Sequence, residues 1–522
     1  MQVCEIEREA STDKTFPFRI RQNTVALIAV CLAVMTFSLE ISSVPVILPT
    51  LETVLHADFK QIQWIMNAYT IACASVLMAT GTLADRFGRK RLFIITIALF
   101  GVASLLCGLA SSSSVLIASR FLQGASGGAM LICLVAVLSH QFPQGAERAR
   151  AFSVWGIILG IGLGFGPLVG GAIVALSSWK WVFWVHVLIA LVTLALAIAG
   201  VRESRDPQAQ KLDVAGMVTL SAAIFGFVWF ITQGADIGFT SRAGLTILAA
   251  SACGLIAFFV IELRSAHPMF DFSVFRIRNF SGALLGSVGM NFSFWPFIIY
   301  LPIYFQHALG EGPVVAGMFL LAYTLPTLVF PPIGERLALR YTPTVVIPAG
   351  LFTIGLGFFL MRLGSAINPA SALAILPGCL ISGAGLGMTN TPVTNTTTGS
   401  ASGARAGMAS GIDMSARMIT LAINIAMMGL LLMKGVAHRL QDAFAGANVA
   451  GSWDGVASRV AAGDLEPVHA VVGAALHSDA IAEVSRAALV HGFGWLMVYG
   501  GSAVCGLAVV SYLIFSGGKV RE

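Results

Sequence analysis

Charge is what this sequence has least of. Asp, Glu, Lys and Arg make up 11% of its 522 residues, against about 25% in a soluble domain, so little of the chain is suited to a surface in water. Other absences narrow the function further. No G-x-x-x-x-G-K-[ST] run offers a phosphate cradle, which excludes a nucleotide-driven engine of that type. The eight cysteines are scattered through apolar runs without C-x-x-C spacing, as suits small buried hydrophobes and not disulfide partners or metal ligands. Neither a metal cluster nor a catalytic triad stands out, so neither cofactor nor enzyme chemistry is expected.

Hydrophobic residues make up 57% of the chain, in long runs such as "LFIITIALFGVASLLCGLA". Fourteen candidate spans follow, at about 24–49, 61–81, 92–111, 114–139, 151–175, 180–200, 213–233, 243–262, 281–305, 313–334, 343–361, 371–395, 407–433 and 493–515. The runs do not alternate as barrel strands do, so the fold class expected is an all-α polytopic membrane protein in the lipid bilayer. The first run is too long for a signal peptide, follows a tail bearing Glu5, Glu7 and Glu9, and lacks a convincing A-x-A site.

With the amino terminus inside, "RIR", "RFGRKR", Arg148, Arg150, Arg202, Arg264, Arg276, Arg278, Arg336, Arg340 and "KVRE" all fall on the cytoplasmic side. This bias predicts both termini in the cytoplasm. It also absorbs the net charge of +6 without any need for nucleic acid.

A faint repeat divides the chain. "LADRF" at 83–87 returns as "LALRY" at 337–341, and "QGASGGAM" at 123–130 returns loosely as "SGAGLGM" at 382–388. The expectation is a tail (1–23), a six-helix bundle (24–200), an inserted helix pair with linkers (201–280), a second six-helix bundle (281–515) and a short tail (516–522). Within the second bundle, 434–492 reads as an outer loop; "SDAIAEVSRAALVHGF" in it suits a short amphipathic helix.

In "GTLADRFGRKR", 81–91, Gly81 and Gly88 permit a tight turn, while Arg86, Arg89, Lys90 and Arg91 meet the anionic inner leaflet. The order G-x-L-A-D-R-x-G-R-K resembles the cytoplasmic signature of the major facilitator superfamily. "LIASRFLQGASGGAM" resembles that family's fourth-helix motif through Arg120, Gln123, Gly124 and Gly128, and "GIILGIGLGFGPLVGG" its exporter motif. "WKWVFWVH", "LDVAG", "YLPIYFQHALG" and "RAGMASGIDMSARM" resemble the fourteen-helix drug:proton antiporter branch, a 6+2+6 arrangement. The branch customarily has aspartate at Glu40 and asparagine at Pro45, His186 and Asp413, so substrate and proton stoichiometry do not transfer.

Physically, Gly156, Gly160, Gly164, Gly166, Gly170 and Gly171 are expected to leave one face of span five bare, with Pro167 as a fixed bend, so that a neighbouring helix can rock against it. Glu40 lies about 24 Å along a helix starting near residue 24, beyond the midplane, and Arg120 sits at comparable depth. Ionisable groups at such depth default to function. Glu40 is read as the proton- or cation-recognising carboxylate with Arg120 as partner; a static ion pair is the alternative. Asp413 is a second proton-coupling candidate, although Arg417 one turn on can satisfy it. Asp85, with Arg86 and Arg89 beside it, is placed to gate by pairing across the inner face with Arg148 or Arg150. His186 and His307 read as interfacial hydrogen-bonders, with titration near neutral pH the alternative.

The expected substrate wall comprises Phe37, Trp64, Asn67, Trp229, Phe292, Trp295, Tyr300, Tyr304, Gln306 and Asn390, fewer than half of them in the cavity itself. The resemblance implies a monomeric, proton-driven exporter of small lipophilic or cationic compounds in the bacterial inner membrane, with a periplasmic adaptor if the cell is Gram-negative. Export of one endogenous metabolite, antibiotic or siderophore is the alternative.

Overall fold

The computed structural model describes residues 15–142, 145–205, 213–265, 272–400, 406–444, 453–461, 468 and 478–517. All regular structure among them is helical. This follows from the solvent: in hydrocarbon each backbone N–H and C=O needs a partner within the protein. The helices are α1 (Thr15–Leu55), α2 (Phe59–Phe87), α3 (Arg89–Leu109), α4 (Ser113–Gln141), α5 (Gly145–Leu176) and α6 (Lys180–Gly200). Next come α7 (Val214–Ile237), α8 (Arg242–Arg264), α9 (Arg278–Phe292), α10 (Phe294–Ile303), α11 (Pro313–Thr324), α12 (Pro326–Val329) and α13 (Pro331–Tyr341). The last are α14 (Pro343–Ile367), α15 (Leu376–Gly399), α16 (Ala406–Ala443), α17 (Trp453–Ala461) and α18 (Ser478–Ser516).

Eleven of the described helices are long and apolar enough to cross a membrane, or twelve if the bent pair Pro313–Val329 and Pro331–Tyr341 is one span. The comparably long α2 and α15, richer in amide and hydroxyl side chains, are not among them. Local chemistry fixes several helix starts. Asp58 accepts from the Gln61 N–H at 2.7 Å while Gln61 Oε1 accepts from the Asp58 N–H at 3.2 Å, a capping box for α2. Asp213 and Ser241 cap α7 and α8.

Proline, serine and a wide turn explain where expected spans differ. The span at 281–305 breaks at Ser293 between α9 and α10 and continues into a π turn, Tyr304–Ala308. The span at 313–334 becomes α11, α12 and α13, bent by 43°, with Pro326 and Pro331 at the joints. The first helix instead runs through Pro45 and Pro49 to Leu55. The amphipathic stretch expected as a short helix is the start of α18, continuous with the last span. Part of 434–492 lies outside the described residues, but α17 packs inward with Val456, Ala457 and Val460 buried, and Lys434 pairs with Asp454.

Helices α1 to α6 pack on one another, as do α9 to α16 and α18; α7 and α8 pair together and α7 rests on α2 and α16. The two sets meet where α5 faces α11, α2 faces α16 and α1 faces α10. We call the end near Gly88 and Gly200 the tail face, and the end near Leu55 and α17 the loop face. Toward the loop face one apolar core joins Val44–Leu51 of α1 to α10, α14, α16 and α18. Toward the tail face one core lies around Ala26–Phe37 of α1, with Met414 and Met418 of α16 packed against it, and another around Phe258, Phe280 and Ile412. The most extensive apolar contact between the two sets is the one at the loop face.

Small residues set the closest approaches. A methyl at Gly162 or Gly166 would overlap Ser38 or Ser42 of α1, and one at Gly170 would lie 2.7 Å from Ser43 O. The bare face is therefore Gly162, Gly166 and Gly170 against α1, with Gly160 and Gly171 turned toward α11 and α12 instead, and Gly156 and Gly164 facing open space. This corrects the single six-glycine face expected from sequence. Gly166→Val is expected to destabilise the protein by about 1–3 kcal/mol through overpacking, with Gly156→Ala within about 0.5 kcal/mol of the native chain. Thermal unfolding of the two purified variants in detergent checks this, and equal melting temperatures would contradict it.

Candidate functional site

Glu40 sits on α1 at a level where α2, α3, α4 and α6 all reach it. Its side chain and that of Arg120 are both 0% exposed, and Arg120 Nη1 forms a short ion pair with Glu40 Oε1. The other carboxylate oxygen accepts from Gln123 Nε2 at 3.0 Å, and His186 Nδ1 lies 2.9 Å from it without hydrogen-bond alignment. Arg120 is held at three further points: Nε donates to Ile65 O at 3.1 Å, Nη1 donates to Gln123 Oε1 at 2.7 Å, and the guanidinium lies 4.4 Å from the Tyr69 ring centroid. Gln123 Nε2 also donates to Ser104 Oγ at 2.9 Å. Such bonding is required, since an ion removed from water costs several kcal/mol unless nearly every lone pair and proton is met.

The sequence brings these groups together through spacing and small residues. Arg120 and Gln123 are i,i+3 on one face of α4. A methyl at Gly124 would overlap the Tyr69 backbone of α2. Only a glycine there lets α4 lie close enough for Arg120 to bond the Ile65 carbonyl. Gln123, marked by the fourth-helix motif, and His186, expected as an interfacial hydrogen-bonder or a titrating group, complete the site.

Asp413 forms a separate cluster. Ser287 Oγ donates to Asp413 Oδ1, and Arg417 Nε donates to Oδ2 at 3.1 Å. Arg417 then reaches Asn390 Oδ1 at 2.6 Å and Thr394 Oγ1 at 3.1 Å. The expected i,i+4 pair is present, and Asn390 is engaged by it.

The gating side chains Asp85 and Arg148 lie outside the described residues, while Arg86 and Arg150 are exposed and Arg89 is half-buried. At this tail-face turn a different residue, Glu203, is prominent. Its carboxylate accepts from the N–H groups of Lys90 and Arg91 at 3.1 and 3.2 Å, on the positive end of α3. It lies against Gly88, whose φ of 111° suits glycine. Nothing in "VRES" marked Glu203 for that position. Gly166 and Gly170 are buried against α1, and Pro167 is buried with its carbonyl against Gly317 of α11.

The substrate-wall residues divide into several groups. Trp64 and Trp229 face each other, centroids 5.6 Å apart, with Phe225 beside them, and Trp229 is 39% exposed. The pair lies where α7 docks on α2. Tyr300 and Tyr304 are buried in the loop-face core, where the Tyr300 hydroxyl donates to Ile425 O. Gln306 Nε2 donates to Val46 O at 2.9 Å, bonding α1 to the other set. Phe292 and Trp295, both half-buried, flank the Ser293 break, and Phe37 is buried. Asn67 is fully buried and its amide has no hydrogen-bond partner among the described residues; the same holds for Gln63 one turn earlier. Gln63 lies against Gly429 of α16 and had no distinguishing signal in the sequence.

Comparison with known proteins completes the picture. The profile of the Major Facilitator Superfamily matches residues 28–424. The "Multidrug resistance protein Stp" of Mycobacterium tuberculosis is 30% identical, over 81% of this chain and 78% of its own length. The "Tetracenomycin C resistance and export protein" of Streptomyces glaucescens is 28% identical over 93% of this chain and 90% of its own. Among solved structures, a POT family transporter in complex with a thioalcohol-conjugated peptide superposes with a TM-score of 0.63 at 14% identity, covering 95% of this chain and 96% of that one. That likeness concerns the fold. The chain belongs to the Major Facilitator Superfamily, in its branch of drug:proton antiporters.

Proposed function

We propose that this proton-coupled secondary transporter is an exporter of lipophilic, often cationic compounds, in which Glu40 carries the coupling proton. The observation that carries the reading is the fully buried Glu40–Arg120 pair, ringed by Gln123 and His186, inside an antiporter fold. Protonating Glu40 removes the charge attraction that holds α1 to α4 and frees Arg120 toward its Gln123, Ile65 and Tyr69 contacts. Deprotonation restores the pair. A transporter whose two protonation states favour different arrangements of α1 can exchange proton for substrate.

The architecture we propose is fourteen helices as 6+2+6, with bundles at 24–200 and 281–515 and α7–α8 inserted. The tail face is cytoplasmic, on the strength of Arg86, Arg89, Lys90, Arg91, Arg336 and Arg340 at that end. Substrate enters from it toward Phe37, Phe292, Trp295 and the unpartnered amides of Gln63 and Asn67, with Asp413 and Arg417 as a second charged station. The hinge is Gly166, Pro167 and Gly170, and Asp85 with Arg148 or Arg150 latches the cytoplasmic face. The protein works as a monomer, and an adaptor enters only in a Gram-negative cell. A narrower range has one specific support: the Streptomyces relative that matches 93% of this chain is named for a single natural product. Mutual competition among unrelated cationic dyes supports the broad range; a single saturable product supports the narrow one.

Two outcomes test the coupling role. In inverted vesicles with an imposed pH gradient, Glu40→Gln is expected to abolish gradient-driven dye transport while inserting at native levels; full transport by the variant refutes the assignment. Arg120→Met alone is expected to cost about 3–5 kcal/mol by leaving a buried carboxylate uncompensated. Adding Glu40→Gln to it should restore most of that loss. Thermal unfolding of the three variants in detergent provides the measurement, and a double variant no more stable than Arg120→Met contradicts the pairing argument.

A further inference from the structure

A second buried carboxylate lies on α1, three turns beyond Glu40 or ~18 Å along the helix. Glu52 is buried, and neither of its oxygens has a hydrogen bond among the described residues. Its ion-pair neighbour is His307, in the π turn after α10, with Nε2 3.5 Å from Glu52 Oε2. On the other side of the ring, Nδ1 lies 3.4 Å from Ala461 O at the end of α17. Glu52 belongs to one helix set, His307 to the other, and Ala461 to the helix covering the loop face. The three meet where the sets are sealed together.

The chemistry constrains the proton count. A carbonyl only accepts, so for the Ala461 contact to be a hydrogen bond Nδ1 must carry hydrogen. In a neutral ring Nε2 is then a bare lone pair facing a carboxylate. Two acceptors confronting each other without a donor are repulsive, and a buried anion without a hydrogen bond is costly. The sealed site must therefore hold one further proton, either on the carboxyl group, donated to Nε2, or on Nε2, paired with the carboxylate. When the loop face opens, water reaches both groups, and near neutral pH a hydrated glutamate is ionised and a hydrated histidine largely neutral. That proton then leaves. His307, with 14% of its side chain exposed against 2% for Glu52, is the side from which a proton arrives.

We infer that Glu52 and His307 form a second proton site that latches the loop face: closing it takes up one proton from that side, and opening releases it. The inference rests on the proton-coupled reading above and adds a separate station to it. Other charged groups on the surrounding elements are His56 and Asp58 in the α1–α2 turn, Glu311 after the π turn, Arg459 on α17 and Arg486 on α18 beside Gly310. Because closing the site binds a proton, acid on the loop side favours the sealed state and alkali favours opening.

The test places spin labels at Thr53 on α1 and Ala487 on α18, both exposed at the loop face, in the full chain lacking its native cysteines and reconstituted in lipid nanodiscs. Distance distributions from pH 5.5 to 8.5 give the ratio of open to sealed molecules. One linked proton changes that ratio by up to about tenfold per pH unit. The native chain should show that slope. Glu52→Gln, whose amide donates to a neutral Nε2, should shift the population toward the sealed state with a profile shallower than the native one, His307→Gln should also make it shallower, and Glu52→Gln combined with Glu40→Gln should be flat. Glu40→Gln should keep a slope. A flat native profile overturns the inference, as does a Glu52→Gln profile as steep as the native one. The readout needs neither substrate nor gradient, so a native slope in a protein that fails to transport counts against the exporter reading and leaves the latch standing.

Discussion

Five helices of the amino-terminal set converge because one ion pair has nowhere else to find partners. Glu40 comes from α1, Arg120 and Gln123 from α4, the Ile65 carbonyl and Tyr69 ring from α2, Ser104 from α3 and His186 from α6. In water each of these groups would be satisfied independently; in a hydrocarbon-bounded bundle they satisfy one another or incur several kcal/mol apiece. That requirement positions the helices at a common depth. Gly124 on Tyr69 and Gly128 on Cys73 make it sterically feasible, since any side chain there would hold α4 off α2. The same economy makes the cluster sensitive to one proton, because side chains that are 0% exposed have no contact with bulk solvent to absorb the change in charge.

Much of this was legible in the sequence because it depends on composition and short-range order. The helical class follows from apolar runs, and the tail-face turn from Gly88 and the basic residues after it. The Glu40–Arg120 pair followed from estimated depth along two helices. What escaped depended on tertiary packing. Gly162 and Gly164 are chemically identical and two residues apart, so they point to different sides of α5, and only the location of α1 decides which one is a contact. Trp64 and Trp229 had suitable chemistry for a substrate wall, but the docking of α7 claimed them. Glu52 lay past the expected end of span one at about residue 49, yet α1 continues to Leu55. Glu203 lies far along the chain from the turn it braces, and no local spacing joins them.

The two faces of the protein are held by different kinds of interaction, and this bears on how it can move. The loop face is sealed by a shared apolar core, supplemented by Gln306 to Val46 O and by Glu52 with His307. Opening it exposes apolar surface at about 25 cal/mol per Å², so a change in one proton cannot drive the motion alone. In the alternating mechanism we propose, the compensation comes from contacts forming at the tail face, where, among the described residues of the other set, only Met414 and Met418 of α16 pack against the core around α1.

Between the faces lies a seam designed by its small residues for motion of this kind. Where α5 meets α11, a methyl at Gly171 would lie 2.5 Å from Pro313 O, and one at Gly317 would lie 2.8 Å from Pro167 O. Backbone rests on backbone there, and Thr324 Oγ1 reaches across to Gly164 O at 2.8 Å. Contacts of that sort have few interdigitated side chains to disengage, Leu328 against Gly160 being one, which suits the rolling of the two sets that the proposed mechanism requires. In that mechanism the apolar cost falls at the ends of the molecule, where loss at one face is offset by gain at the other, and the protons we assign to Glu40 and Glu52 need supply only the difference.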